Sequence, residues 1–204
     1  MDRLRSPGGC AWDAAQTHQS LTRYLIEEAY EVIEAIETGD LALLREELGD
    51  LLLQVLFHAR IAQELPSGRA FGIEDVAADL VDKLVRRHPH VFADARADSA
   101  DQLNEAWERQ KITEKGRTSS VDGVPLDQPA LALSAKLMSR ARRAGLPPPS
   151  FADETADPAA DLGRRLFAIV EEAVTAGIDP EAALRAAARA YRQALITSER
   201  TETS

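Results

Sequence analysis

Apolar residues recur at helical spacing along most of this chain, and turn residues cut the pattern into helix-length segments. Residues 17–38 carry Leu21, Leu25, Val32 and Ile36 in one register, which predicts a helix with that stripe in the core. Gly39-Asp40 marks a stop and a new start. The Leu-rich segment 41–65 runs to Pro66-Ser67-Gly68, and a third helix begins near Ile73 and stops before Pro89. A fourth is expected over residues 99–115, with Leu103, Ala106 and Trp107 on its apolar side. After a Ser/Gly/Pro-containing linker come helices at 127–144, 159–176 and 179–196. The last has Asp179 as N-cap and Pro180 at the first helical position. Residues 145–158, with Pro147-Pro148-Pro149, are expected to be an irregular loop, and the tail 197–204 to fray. No run of β-branched alternation makes a strand, so the fold class is all-α.

The pattern also echoes itself. Glu47-Leu48-Gly49-Asp50-Leu51-Leu52 lines up with Asp161-Leu162-Gly163-Arg164-Arg165-Leu166, and apolar positions continue in step. Further on, Phe71-Gly72-Ile73-Glu74 resembles Ala176-Gly177-Ile178-Asp179. The second copy keeps packing residues and replaces an acid by Arg164. The expected organisation is a catalytic unit at 1–116, a linker at 117–126 and a degenerate, acid-depleted helical repeat at 127–204.

Composition narrows the class. With 204 residues and 45% hydrophobic content the chain can bury a core. Its single cysteine, Cys10, excludes an internal disulfide and a cysteine zinc cage, which fits a reducing compartment. No signal-like or membrane-spanning run is present, so a cytoplasmic, soluble protein is expected. The net charge of −10 argues against nucleic acid as a partner. That charge is concentrated: residues 27–50 hold nine acids against one base, Arg45.

Such a concentration is either a solvated acidic helix face or a cation site, and the spacing favours the cation site. Glu28 and Glu31 are i,i+3 neighbours on one helix, Glu27 and Glu31 are i,i+4, and Glu47 and Asp50 repeat the i,i+3 step on the next. The short Gly39-Asp40 connection predicts an antiparallel hairpin in which both pairs face one groove. Carboxylates held that close repel unless a cation sits among them. Oxygen-only donors suit Mg²⁺ or Mn²⁺, and Mg²⁺ typically binds through carboxylates plus substrate phosphates. On the second helix, Leu44, Leu48, Leu51, Leu52 and Val55 form a broad apolar surface, and Glu47, Asp50, Gln54 and His58 form one polar strip.

Glu27-Glu28-Ala29-Tyr30-Glu31 followed by Glu47-Leu48-Gly49-Asp50 resembles the EExxE…ExxD signature of the all-α nucleoside triphosphate pyrophosphohydrolases, and the flanking residues resemble the MazG family specifically. The matching stretches include Leu4 to Cys10, Trp12-Asp13, Gln16-Thr17-His18, Lys83-Leu84-Val85-Arg86-Arg87-His88-Pro89-His90-Val91-Phe92, and Trp107-Glu108 with Lys111. Ala11 stands where the family commonly has Pro. The resemblance implies a helical bundle completed by dimerisation. It also implies Mg²⁺-dependent cleavage of a nucleoside triphosphate to the monophosphate and pyrophosphate, with nucleotide-pool house-cleaning as the role. By the same resemblance Glu28, Glu31, Glu47 and Asp50 are metal ligands, and Glu27 is a further ligand or a water-orienting base. Lys83 and Arg87 are phosphate contacts, and Trp107 and Lys111 line the nucleotide pocket.

Simpler roles stand beside these. Lys83, Arg86 and Arg87 near a helix C-terminus are favourable to the helix dipole alone. Trp107 reads equally as a half-buried core residue. Trp12 either stacks on a base or anchors the N-terminus. The four histidines read as surface or core residues, and Cys10 as a small structural one. Two other functions remain possible: a di-iron or di-manganese carboxylate bundle, disfavoured because no Glu-x-x-His pair exists, and a non-catalytic oligomerising module. A two-helix hairpin with an acidic groove cannot cover itself, so a homodimer or higher homo-oligomer is expected.

Overall fold

Every regular element among the described residues of the computed structural model is an α-helix; these residues are 1–93, 118–147 and 157–202. In chain order the helices are α1 (Asp2–Arg5), α2 (Ala11–Ala15), α3 (His18–Thr38), α4 (Leu41–Gln63), α5 (Ile73–Arg87), α6 (Pro89–Phe92), α7 (Ala130–Arg143), α8 (Pro158–Thr175) and α9 (Pro180–Glu202). They fall into two units, Met1–Ser99 and Ala100–Ser204. The helix expected over residues 99–115 lies outside the described residues.

The first unit is built on the α3–α4 hairpin. Thr17 and Ser20 cap α3 reciprocally: the Ser20 amide donates to Thr17 Oγ1 at 3.1 Å and the Thr17 amide to Ser20 Oγ at 2.9 Å. Gly39 ends the helix at φ 73°, a left-handed conformation that a side chain would strain. Asp40 then opens α4, its Oδ1 accepting from the Ala42 and Leu43 amides at 3.0 Å each. Two residues thus reverse the chain and set the register of the pair.

The core of this unit is narrow. Leu21, Phe57 and Ile61 are buried together, with Met1 and Tyr24 packed against them, and Val32 and Ala35 are buried further along α3. Leu25 and Ile36, expected in the core stripe, are exposed instead, Ile36 at 60%. The broad apolar face of α4 is likewise open, with Leu48 at 49% and Leu52 at 55% exposed. The reason is geometric: a two-helix contact covers only the strip each helix turns to the other, and α4 turns its polar strip toward α3.

Arg5 fastens the N-terminal segment to this hairpin. Its side chain is only 4% exposed. It donates through Nε and Nη2 to the Glu64 carboxylate at 2.9 and 2.8 Å, and through Nη1 to the carbonyls of Asp13 and Gln16. It also lies over the Phe57 ring, 5.7 Å from the centroid.

In the second unit α7 packs on α8, and α9 touches both. Arg140 ties the preceding turn to α7 by donating to the Ser120 and Asp122 carbonyls at 3.2 Å each. Asp179 caps α9 as the sequence indicates, its Oδ1 accepting from the Glu181 and Ala182 amides. The expected fraying from Thr197 is not observed: α9 continues to Glu202. Nothing between 197 and 202 breaks a helix, and the Thr197 and Thr201 hydroxyls donate to the carbonyls of Gln193 and Thr197 at 2.9 and 2.7 Å.

Candidate metal centre

The hairpin brings Glu28 of α3 together with Glu47 and Asp50 of α4. One carboxylate oxygen from each lies within 4.8 Å of the others. All three side chains are half-buried. Glu31, one turn beyond Glu28, stands outside this triad, yet its charge acts on both Glu28 and Glu47. Glu27 is exposed and outside the triad.

The electrostatics are those of uncompensated like charge. Burial, followed by the Asp50, Glu31 and Glu47 carboxylates, pushes the Glu28 pKa above its ordinary value. Desolvation, followed by Glu31, Glu46 and Asp50, raises Glu47. Hard oxygen donors at mutual distances one ion can span, each destabilised by the others, match what a divalent cation requires. The residues present therefore fit Mg²⁺ or Mn²⁺ by their donor chemistry.

The polar strip continues past the acids. Gln54, one turn after Asp50, is 5% exposed, and its Oε1 has no hydrogen-bond partner. His58, a turn further, meets His18 across the hairpin: the rings stack with an interplanar angle of 1°, and the two Nδ1 atoms lie 2.7 Å apart. Only one of those atoms can carry the shared proton. Burial and His18 hold the His58 pKa below the ordinary imidazole value, and His58 Nε2 is buried without a partner. A buried polar atom left unbonded costs about 1–3 kcal/mol, so Gln54 and His58 are costlier occupants of this strip than apolar side chains. The spacing 47-50-54-58 was the available signal in the sequence, but it did not distinguish Gln54 and His58 from ordinary helix polarity.

The other expected site residues are placed as follows. Trp12 meets Tyr24 and Phe57 edge-on, with centroids 5.9 and 6.3 Å away, and stays 50% exposed. It is both anchored and open on one side. Lys83 and Arg87 lie one turn apart at the C-terminal end of α5, each half-buried. Trp107 and Lys111 lie outside the described residues. Arg5 stands in the matched Leu4 to Cys10 stretch, but its pairing with Glu64, 59 residues away, left no trace in local spacing.

In the second unit the positions echoing Glu47 and Asp50 are Asp161 and Arg164. They form an ion pair on α8, Arg164 Nη2 to Asp161 Oδ1 at 3.3 Å. A cation already supplied by the chain satisfies that carboxylate.

Comparison with known proteins places this geometry. The model of the MazG nucleotide pyrophosphohydrolase domain matches residues 16–92, the span from α3 to α6. The nucleoside triphosphate pyrophosphohydrolase/pyrophosphatase MazG of Thermotoga maritima is 42% identical over 94% of this chain and 79% of its own length. The chain belongs to the MazG family. Its relatives also include the nucleoside triphosphate pyrophosphohydrolase of Mycobacterium tuberculosis, 45% identical over 98% of this chain. An uncharacterised 26.1 kDa protein of Streptomyces cacaoi is 52% identical over 98% of it. The chain spans 79% of the Streptomyces relative but only 56% of the mycobacterial one. No helix among the described residues is long and apolar enough to cross a membrane.

Proposed function

We propose that this chain is a divalent-metal-dependent nucleoside triphosphate pyrophosphohydrolase that adds water across the α–β phosphoanhydride of a (d)NTP, giving the (d)NMP and pyrophosphate. The observation that carries this reading is the Glu28–Glu47–Asp50 cluster, with oxygens within 4.8 Å, on the hairpin of a MazG domain. The relatives named as nucleoside triphosphate pyrophosphohydrolases support the reaction class.

Glu28, Glu31, Glu47 and Asp50 hold Mg²⁺, with Mn²⁺ as a substitute. A bound ion supplies phosphate neutralisation and a more acidic water. Glu27 stands beside this set as a further ligand or a base that orients the attacking water. Lys83 and Arg87 receive the charge of the departing pyrophosphate. Trp12, Trp107 and Lys111 line the nucleotide pocket. The role is clearance of nucleotide pools in the cytoplasm.

The exposed ridge of Leu48, Leu52 and Val55 supports a homodimer in which a second hairpin completes the bundle. The self-neutralised Asp161–Arg164 pair supports a packing or assembly role for residues 127–204, without a second metal.

The deciding experiment measures pyrophosphate release from a panel of NTPs and dNTPs with Mg²⁺, for the wild type and Glu47→Ala. The expected result is release by the wild type and loss of it in the variant. Equal release by both removes the mechanism, and no release from any nucleotide favours a non-catalytic helical module.

A further inference from the structure

The α3–α4 hairpin has two faces, and helix geometry assigns residues to each. At about 100° per residue, Leu21, Glu28 and Val32 form the line of α3 that meets α4. Tyr24, Glu27 and Glu31 fall to one side of that line and His18 to the other. On α4, Gln54 and Ile61 mark the line that meets α3, with Asp50 and Phe57 to one side and His58 to the other. Two contacts show which sides coincide. His18 stacks on His58, and Trp12 meets both Tyr24 and Phe57. The histidines therefore mark one face, and Trp12 shares the opposite face with Glu27, Glu31 and Asp50.

Tyr24 lies one turn from Glu28, and Phe57 lies two turns from Asp50, both toward the same end of the hairpin. At 1.5 Å rise per residue these steps are about 6 and 10 Å. Trp12 thus stands along the acid face at a span like that between the α-phosphate and the base of a nucleotide. Its ring is open, with 50% of the residue exposed. It is also held. Tyr24 and Phe57 meet it at 76° and 83°, as edge contacts and not as parallel stacks. Arg5 lies over Phe57 and donates to the carbonyls of Asp13 and Gln16, which follow Trp12 in α2 and at its C-cap. Gln16 Nε2 donates to the Trp12 carbonyl at 2.9 Å, and the Arg23 guanidinium lies over Tyr24, 4.5 Å from the ring centroid. Anchoring alone would be served as well by a covered side chain. A fixed indole left half in water, on the acid face, is a stacking platform.

We propose that the open surface of Trp12 stacks on the nucleobase and selects the substrate by base area, taking purine over pyrimidine triphosphates and treating adenine and guanine alike. This deepens the pyrophosphohydrolase reading and rests on it. Every base has a π-face, so the platform accepts all of them, and the two-ring purines overlap the indole more. The base is remote from the α–β bond and stacks equally in substrate and transition state, so the contact acts on KM and not on kcat.

The test measures kcat and KM for purine NTPs, pyrimidine NTPs and ribose 5-triphosphate, which has no base, in the wild type, Trp12→Leu and Trp12→Phe. The wild type is expected to favour purine over pyrimidine NTPs in kcat/KM by about threefold or more. Trp12→Leu is expected to raise KM for purine NTPs about tenfold, to erase the purine preference and to leave KM for ribose 5-triphosphate as it was. Trp12→Phe keeps a flat ring and should recover part of the preference. Comparing substrates within one variant keeps the test decisive even where Trp12→Leu is less stable, because an unfolded fraction lowers the rate on all three alike. A wild type that treats purines and pyrimidines equally overturns this inference and leaves the activity standing. A loss by the same factor on all three substrates in Trp12→Leu also overturns it and marks Trp12 as an anchor. A wild type that hydrolyses nothing removes the reading beneath, and this inference with it.

Discussion

Replacing Arg5 by methionine keeps much of the side chain's length and removes its charge, so the change isolates the polar grip of the N-terminal segment on α4. The wild-type guanidinium makes two bonds to Glu64, at 2.9 and 2.8 Å, reaches the Asp13 and Gln16 carbonyls, and covers Phe57. Breaking a fully buried pair costs about 3–5 kcal/mol. Here Glu64 is 40% exposed and keeps Arg60 at 3.1 Å, so solvent and the second cation absorb part of the loss. The two carbonyls lose a donor that water replaces poorly beneath the segment. The net expectation is a destabilisation of about 2–4 kcal/mol. Urea denaturation followed by circular dichroism reads it directly, and Arg5→Lys should recover only part, because an ammonium lacks the fork geometry. A loss below about 1 kcal/mol for Arg5→Met would refute the reasoning and mark the contact as an ordinary surface pair.

Two further outcomes follow from the hairpin. The Glu28 and Glu47 pKa values are raised in the fold, so these carboxyls bind protons more readily folded than unfolded. Their penalty is absent below the ordinary carboxylate value and complete above the raised one, so their contribution to metal-free stability falls as pH rises through that window. Glu64 has the opposite sign: hydrogen bonds from Arg5 lower its pKa, and its contribution is lost as pH falls through the lowered value. Thermal melts should therefore show a larger Mg²⁺ stabilisation at about pH 7.5 than at about pH 5, and an Mg²⁺ effect that is equal at both values counts against the acid cluster as the site. Leu52→Glu puts a charge on the exposed ridge of α4 and should yield a monomer in sedimentation velocity; an unchanged particle mass would sink the proposed dimer face.

The hairpin was legible because its determinants are local. Thr17 and Ser20, Gly39 and Asp40 each act within three residues of themselves, and the i,i+3 acids keep their meaning in any helix. What sequence periodicity could not give was which apolar residues the chain itself would cover. Leu25, Ile36, Leu48 and Leu52 all sit at helical spacing, yet each lies on a face that neither helix of the hairpin turns to the other. Periodicity reports that a helix has an apolar side, and only packing decides what lies against it. Arg5 and the His18–His58 pair were illegible for a related reason, since their partners are 59 and 40 residues away. Gln54 was visible as a polar position, but its unbonded oxygen is a property of burial.

The two-residue Gly39-Asp40 turn has a kinetic consequence. Glu28, Glu47 and Asp50 fall within a short stretch of chain whose ends are brought together by one reversal. Closing so short a loop costs little entropy, and the contacts are of low sequence separation. The acid cluster can therefore assemble on a nascent chain as soon as α4 has left the ribosome, ahead of α5 and the entire second unit.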